Sequence, residues 1–135
     1  MKLSGLHSLQ RELAFVRDHN RAGGDALPFA EAALLLMTLE RFLRLLPGLN
    51  AANKETLPQL LQRAVAIGTL RFPEGEEAGV IDELRKFRNA LLHANHEQAN
   101  RDRKHDLREE LDKLHPLVES LISQVDPVTG FRRLP

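Results

Sequence analysis

Apolar residues recur along this chain at steps of three and four, the spacing that gives an α-helix one buried face. This spacing predicts five helices, at about residues 4–20, 28–46, 56–70, 76–96 and 102–125. Gly23-Gly24-Asp25, Pro47-Gly48 and Phe72-Pro73-Glu74-Gly75 are turn sequences that separate the first four. No segment has the period of two that is typical of a strand. We therefore predict an all-α fold, an up-and-down bundle of four to five helices.

A chain of 135 residues is long enough for one domain with a substantial core. We assign residues 1–125 to a single helical domain and residues 126–135 to a C-terminal tail, which we expect to be loosely ordered. The second helix is apolar on nearly all sides, which predicts a place at the centre of the bundle or at a subunit contact. Pro116 lies inside the fifth helix and cannot donate to the carbonyl of Asp112, so a kink or a short break is expected there.

In the stretch 85–96 an apolar helical pattern carries Arg, Asn and His together. The predicted core face of this fourth helix consists of Val80, Leu84, Phe87, Leu91 and Ala94. Ile81 and Leu92 extend that face on one side, as at a subunit contact, and Arg88 lies between them and the face. A cation in such a position is costly to bury unless it is paired or reaches an open cleft.

Arg88 and His93 are five residues apart, and therefore about 140° apart around an ideal helix. For both to act in one site, the helix must bend, the long Arg88 side chain must reach around it, or two copies of the helix must face each other in a dimer. Asn89 and His93 are one turn apart, so the Asn89 amide could fix the tautomer of the imidazole.

A plainer alternative assigns the polar side of the helix to solvent, and its members are Arg85, Asn89, His93 and His96. In that case Arg88 would form a structural ion pair with Glu40 or Glu83. Spacing alone slightly favours this alternative, because any polar helix face offers a similar set of residues.

Composition removes several classes of chemistry. The chain has no Cys, which excludes disulfides, thiolate metal sites and thiol catalysis. No signal peptide and no apolar run of about 20 residues occurs, so we predict a cytoplasmic protein without a membrane span. His93, His96 and Glu97 lack a second pair of metal ligands, and Gly23-Gly24 lacks the Lys of a P-loop, so no metal or cofactor is expected.

Charge is balanced over the whole chain but not locally. The formal net charge is zero, so any polyanion must be bound by a local patch. Residues 85–108 contain seven Lys or Arg against three Asp or Glu. This region is either a basic surface for phosphates or an ordinary charged helix end.

The segment Arg88-Asn89-Ala90-Leu91-Leu92-His93 resembles the R-x4-6-H motif of the HEPN superfamily, with four residues between Arg and His and a polar residue directly after the Arg. The resemblance implies a small all-α bundle, commonly a homodimer, and in many members a metal-independent endoribonuclease of defence or toxin–antitoxin systems. It places the Arg and His of two protomers in a cleft at the dimer interface. One toxin subgroup has a modifiable Tyr two residues after the His; this chain has Asn95 there, so that control is not expected.

The resemblance also implies roles for individual residues. RNA would be cleaved by attack of its 2′-OH on the adjacent phosphorus, with His93 as general base or acid, Arg88 on the scissile phosphate and Asn89 orienting either group. Auxiliary RNA contacts are predicted at Arg85, His96, Lys86, Arg101, Arg103 and Lys104. The expected partners are RNA, a second copy of the chain and, for a toxin, an antitoxin. One alternative is a non-catalytic helical module that binds RNA, a nucleotide or a protein; another is a plain helical interaction protein.

Overall fold

Five α-helices follow one another in the computed structural model, which describes residues 4–22, 28–49, 55–72, 75–93 and 97–133. Within these ranges the side chains at 4–5, 28–29, 89–93 and 97–108 lie outside the description. The helices are α1 (Ser4–Arg21), α2 (Pro28–Leu45), α3 (Leu57–Ala66), α4 (Glu77–His93) and α5 (Glu97–Ser123). The described ranges contain no strand, only an isolated bridge between Val125 and Arg132. The prediction of an all-α bundle is confirmed.

Helix α2 lies at the centre of the bundle, because it contacts each of the other four helices. Its buried apolar residues fall within an arc of about 100° and are Ala32, Leu35, Leu39, Phe42, Leu43 and, just past its end, Leu46. The partly buried Leu34, Leu36 and Leu45 also pack against the core and widen the apolar arc to about 200°. A helix that is apolar on most sides loses the least by being surrounded. The central position predicted from this pattern is therefore confirmed.

Each outer helix adds a narrower apolar strip to the same core. The strips consist of Leu6 and Leu13 from α1, Leu60, Leu61 and Ala64 from α3, Ile81, Leu84 and Phe87 from α4, and Leu111, Leu114, Val118 and Leu121 from α5. These positions follow the three-and-four spacing of the sequence, so hydrophobic burial accounts for which side of each helix turns inward.

Helix α3 has well-defined signals at both ends. Thr56 Oγ1 accepts from the Gln59 backbone N–H, and Gln59 Oε1 accepts from the Thr56 N–H at 2.9 Å, which is a capping box. The helix ends at Ala66, earlier than the predicted limit near Leu70, because Gly68 adopts the left-handed conformation (φ 82°).

The C-terminal part of the chain departs from two expectations. Helix α5 is continuous through Pro116, so the short break that was one of the two expected outcomes does not occur. The Pro116 ring is exposed, and the proline lacks the N–H that would bond to the Asp112 carbonyl. The tail is not loose over residues 126–133. Asp126 Oδ1 accepts from the Val128 and Thr129 N–H groups, and the Arg133 N–H donates to the Gln124 carbonyl at 2.7 Å, which closes a tight turn.

Candidate functional site

Helices α2, α3 and α4 enclose a cavity of about 450 Å³. Its lining combines four apolar residues with charged and polar ones, and consists of Leu36, Leu57, Pro58, Leu84, Glu40, Glu55, Thr56, Arg85 and Arg88. Two of the residues predicted from sequence, Arg85 and Arg88, thus lie at the same cavity, one helical turn apart on α4. Its size falls within the range of about 300–1,000 Å³ that small-molecule sites occupy.

Arg88 reaches this cavity from the buried side of α4. At 100° per residue it projects about 40° from Leu84 and about 20° from Ile81, and these two residues are only 2% and 6% exposed. Arg88 itself is exposed and lines the cavity. The predicted placement of Arg88 between Leu84 and Ile81 is confirmed, while the side chain of Leu92, its other predicted neighbour, lies outside the description.

The burial of Ile81 corrects one expectation. An extra apolar edge made of Ile81 and Leu92 would suit a subunit contact. Ile81 is instead part of the core of a single chain, and the side chain of Leu92 lies outside the described residues. This edge therefore gives no support to a dimer.

The acidic residues of the cavity are held by arginines other than Arg88. Glu40 Oε1 accepts from Arg44 Nε at 3.1 Å, and Glu55 pairs with Arg63. Among the described residues Arg88 forms no ion pair, so the proposed alternative of a salt bridge to Glu40 or Glu83 is wrong. The carboxylates of the cavity are therefore paired with Arg44 and Arg63, and not with Arg85 or Arg88.

The wall opposite α4 is fastened to the bundle by the same arginines. Arg44 Nη2 donates to the Glu55 carbonyl at 3.1 Å, and Arg63 donates to the Leu49 carbonyl. These bonds tie the segment before α3 to α2 and α3, and the capping box at Thr56 fixes the first turn of α3. The cavity wall is therefore set by the fold itself.

The remaining predicted site residues are only partly described. Helix α4 is unbroken from Glu77 to His93, so Asn89 and His93 keep their helical register and the angular separation of Arg88 from His93 stands. The side chains of Asn89, His93, Arg101, Arg103 and Lys104 lie outside the described residues, as does His96 altogether.

Lys86 is a predicted RNA contact that the structure places elsewhere. Its ammonium pairs with Asp82 at 3.5 Å and with Glu83 at 4.0 Å on its own helix, and it does not line the cavity. Exposed pairs of this kind within one helix contribute only a few tenths of a kcal/mol, so they leave Lys86 available to a stronger partner.

Sequence reasoning missed a buried polar network between α1, α2 and α5. Asn20 Nδ2 donates to Glu31 Oε1 at 2.9 Å, and His115 Nε2 lies 2.8 Å from Glu31 Oε2. The three residues are 7%, 1% and 4% exposed, and His115 borders a second cavity of about 160 Å³ together with Arg17 and Thr38. One signal was present: Glu31 and His115 occupy positions in otherwise apolar strips.

Two carboxylates meet where α4 packs on α5. Burial raises the pKa of Glu110, the adjacent Glu83 raises it further through a hydrogen bond and its charge, and Lys113 and Lys86 oppose the rise. The Oε2 atoms of both acids are buried without a hydrogen-bond partner among the described residues. This contact is consequently more favourable when Glu110 is protonated.

The described residues contain no group of three or more His, Asp or Glu side chains close enough to hold a metal ion. Within the same ranges no helix is long and apolar enough to cross a membrane. The class that the fold defines is an all-α helical bundle with an arginine-bearing cavity. Comparisons with protein-family models, with curated proteins and with solved structures found no match to this chain.

Proposed function

We propose that the chain is a metal-independent endoribonuclease of HEPN type, acting as a homodimer in a toxin or defence role. The observation that supports this most is the position of Arg88. It emerges from the buried side of α4 into an open cavity and forms no ion pair with any described residue. Its guanidinium is exposed at the cavity and contributes no described structural pair, so we infer that it serves an anionic ligand.

The proposed reaction uses groups of the chain and the RNA alone. His93 accepts the proton of a 2′-OH as its oxygen bonds to the adjacent phosphorus, the bond from phosphorus to the 5′-oxygen breaks, and the leaving 5′-oxygen takes up the proton that the His93 imidazolium then releases. The products are a 2′,3′-cyclic phosphate and a 5′-hydroxyl. Arg88 stabilises the charge that develops on the phosphoryl oxygens, and Asn89 orients His93.

The dimer is part of the proposal because of the helix geometry. Along an unbroken α4, Arg88 and His93 are separated by about 140°, which is unfavourable for one cleft within one chain. Two copies of α4 facing each other would bring Arg88 of one chain to His93 of the other. Such an isologous contact repeats the composite cleft twice in each dimer.

The cleavage assay is carried out in EDTA with single-stranded and structured RNA. We expect products that end in a 2′,3′-cyclic phosphate. His93→Ala and Arg88→Ala should each lower the cleavage rate by about 100-fold or more. Arg11→Ala, which changes an exposed arginine of α1, should keep full activity. If the purified chain does not cleave RNA, or if neither substitution changes the cleavage rate, the proposed ribonuclease activity of this site is refuted.

Mixing the two inactive variants tests the composite cleft. In a 1:1 mixture about half of the dimers are mixed, and each mixed dimer has one intact cleft if Arg88 and His93 come from different chains. Activity should then recover to about one quarter of the unsubstituted level. No recovery, with dimers present, would mean that both residues act from the same chain.

A non-catalytic module that binds RNA, a nucleotide or a protein partner is the second candidate. The observation in its favour is that the cavity already presents two arginines and two held carboxylates without any contribution from His93. It predicts saturable binding of RNA or nucleotide, with intact ligand recovered and with no effect of His93→Ala on affinity.

A further inference from the structure

The cavity between α2, α3 and α4 has two chemically different ends. Arg85 and Arg88 supply the α4 side, and the carboxylates of Glu40 and Glu55 supply the side of α2 and α3. The rest of the lining is mostly apolar and is made of Leu36, Leu57, Pro58 and Leu84. A ligand that fits all three regions has an anionic end, a flat or apolar body and a group of N–H donors at its other end.

The α4 end matches a phosphate. Two guanidinium groups one helical turn apart can contact different oxygens of one phosphate, and a guanidinium is well suited to such planar, bidentate bonding. Both arginines are exposed and neither forms an ion pair with a described residue, so binding does not require an existing salt bridge to break.

The opposite end matches the Watson–Crick edge of guanine. Glu40 is held through Oε1 by Arg44 Nε at 3.1 Å, and its side chain is 48% exposed towards the cavity region. A carboxylate only accepts hydrogen bonds. Guanine offers two adjacent donors, N1–H and N2–H, whereas adenine and cytosine place a ring acceptor beside their amino group and uracil places carbonyls on both sides of N3–H.

We propose that this cavity binds a guanosine phosphate, with the phosphate on Arg85 and Arg88, the base between Leu57–Pro58 and Leu84, and the guanine edge on Glu40. The inference rests on the proposed function in one respect, because it uses Arg88 as the phosphate contact. It adds a substrate preference: RNA would be bound with a guanosine in this cavity next to the scissile phosphate.

Calorimetric titration of the full chain with 3′-GMP, 3′-AMP, 3′-CMP and 3′-UMP in EDTA tests the proposal. We expect 3′-GMP to bind about tenfold or more tightly than the other three, in line with the discrimination given by a bidentate contact. Glu40→Gln should remove this preference and leave the affinity for 3′-AMP unchanged, because glutamine presents only one acceptor oxygen. Arg88→Ala should weaken all four nucleotides, and Glu12→Gln, an exposed acid of α1, should change none. Equal affinity for the four nucleotides, or a guanine preference that survives Glu40→Gln, would overturn the proposal.

A second measurement separates this proposal from the ribonuclease. Oligoribonucleotides with one guanosine or none are compared in binding and in cleavage. Guanosine-dependent binding without cleavage supports guanosine recognition by the cavity and refutes the ribonuclease activity. Cleavage without any guanosine preference supports the ribonuclease activity and refutes guanosine recognition by the cavity. Tighter binding of the guanosine oligonucleotide than of 3′-GMP identifies RNA as the source of the ligand, and equal binding identifies the free nucleotide.

Discussion

The buried network of Asn20, Glu31 and His115 gives a quantitative prediction about what holds α1, α2 and α5 together. Glu31 accepts from Asn20 Nδ2 at 2.9 Å and faces His115 Nε2 at 2.8 Å, and all three side chains are more than nine-tenths buried. In Glu31→Leu the volume is nearly preserved, but the Asn20 amide and the His115 ring each lose this acceptor in a place with little water.

The expected cost follows from the number of polar groups left behind. Loss of the acceptor of a buried donor costs about 1–3 kcal/mol, so losing Glu31 at both Asn20 and His115 should lower the free energy of unfolding by about 2–6 kcal/mol. With an unfolding entropy of about 2.1 cal/mol/K per residue, a 135-residue chain should lose roughly 7–20 °C in Tm. Glu31→Gln should lose less, because its amide can still accept from Asn20 and donate to the other His115 tautomer.

Urea unfolding followed by circular dichroism, with thermal melts at one protein concentration, measures this effect. Glu12→Leu is the matched control, since Glu12 is an exposed acid of α1 and should change stability by no more than about 0.5 kcal/mol. A triple variant with Leu at 20, 31 and 115 should regain much of the loss, as no polar group of the network is then left unpaired. If Glu31→Leu were as stable as the control, the network would contribute nothing and the reasoning would be refuted.

Three further substitutions test other parts of the structure. Thr56→Ala removes the capping box of α3 and should cost about 1 kcal/mol of unfolding free energy, seen as a lower urea midpoint. Because the pKa of Glu110 is raised above its ordinary value of 4.5, protonated Glu110 stabilises the fold below that pH, and this stability is lost as pH rises through the folded pKa. Glu110→Gln, which can donate to Glu83, should therefore stabilise the chain by about 0.5–1.5 kcal/mol at pH 7 and by less at pH 4; an equal gain at both would contradict this. Arg88→Leu should leave stability within about 0.5 kcal/mol while RNA cleavage and nucleotide binding are lost, and a clear loss of stability would instead make Arg88 structural.

Hydrophobic spacing was sufficient for the helices and for their buried sides, because burial of apolar surface contributes most of the free energy that favours folding and follows the helical period. Hydrophobic spacing predicted the ends of the helices less well. Helix α5 begins at Glu97, whereas its first predicted core residue is Leu107, so its polar first turns carry no apolar signal. The turn after α5 depends on one Asp126 carboxylate, whose pKa is lowered by the backbone N–H groups of Val128 and Thr129.

The candidate site was predictable only in part. The angular position of Arg88 follows from the sequence, since Ile81 and Leu84 flank it on the helix. The surroundings of Arg88 do not follow from the sequence, because the cavity includes residues of α2 and α3, and helical periodicity cannot show that these lie beside Arg88. The same limit explains the missed network, in which Glu31 and His115 are 84 residues apart and each looks like a single polar exception in an apolar strip.

Helix α2 links that network to the cavity. Glu31 and Glu40 are nine residues apart, which places them about 180° apart around α2. One acid therefore fastens α2 to α1 and α5, while the other presents a carboxylate to the cavity on the far side, held in place by Arg44. The wall proposed to recognise guanine is thus preorganised by the most central helix of the bundle. The wall proposed to bind phosphate belongs to α4, whose contact with α5 includes Glu110 beside Glu83. We therefore expect any dependence of phosphate affinity on the titration of Glu110 to disappear in Glu110→Gln.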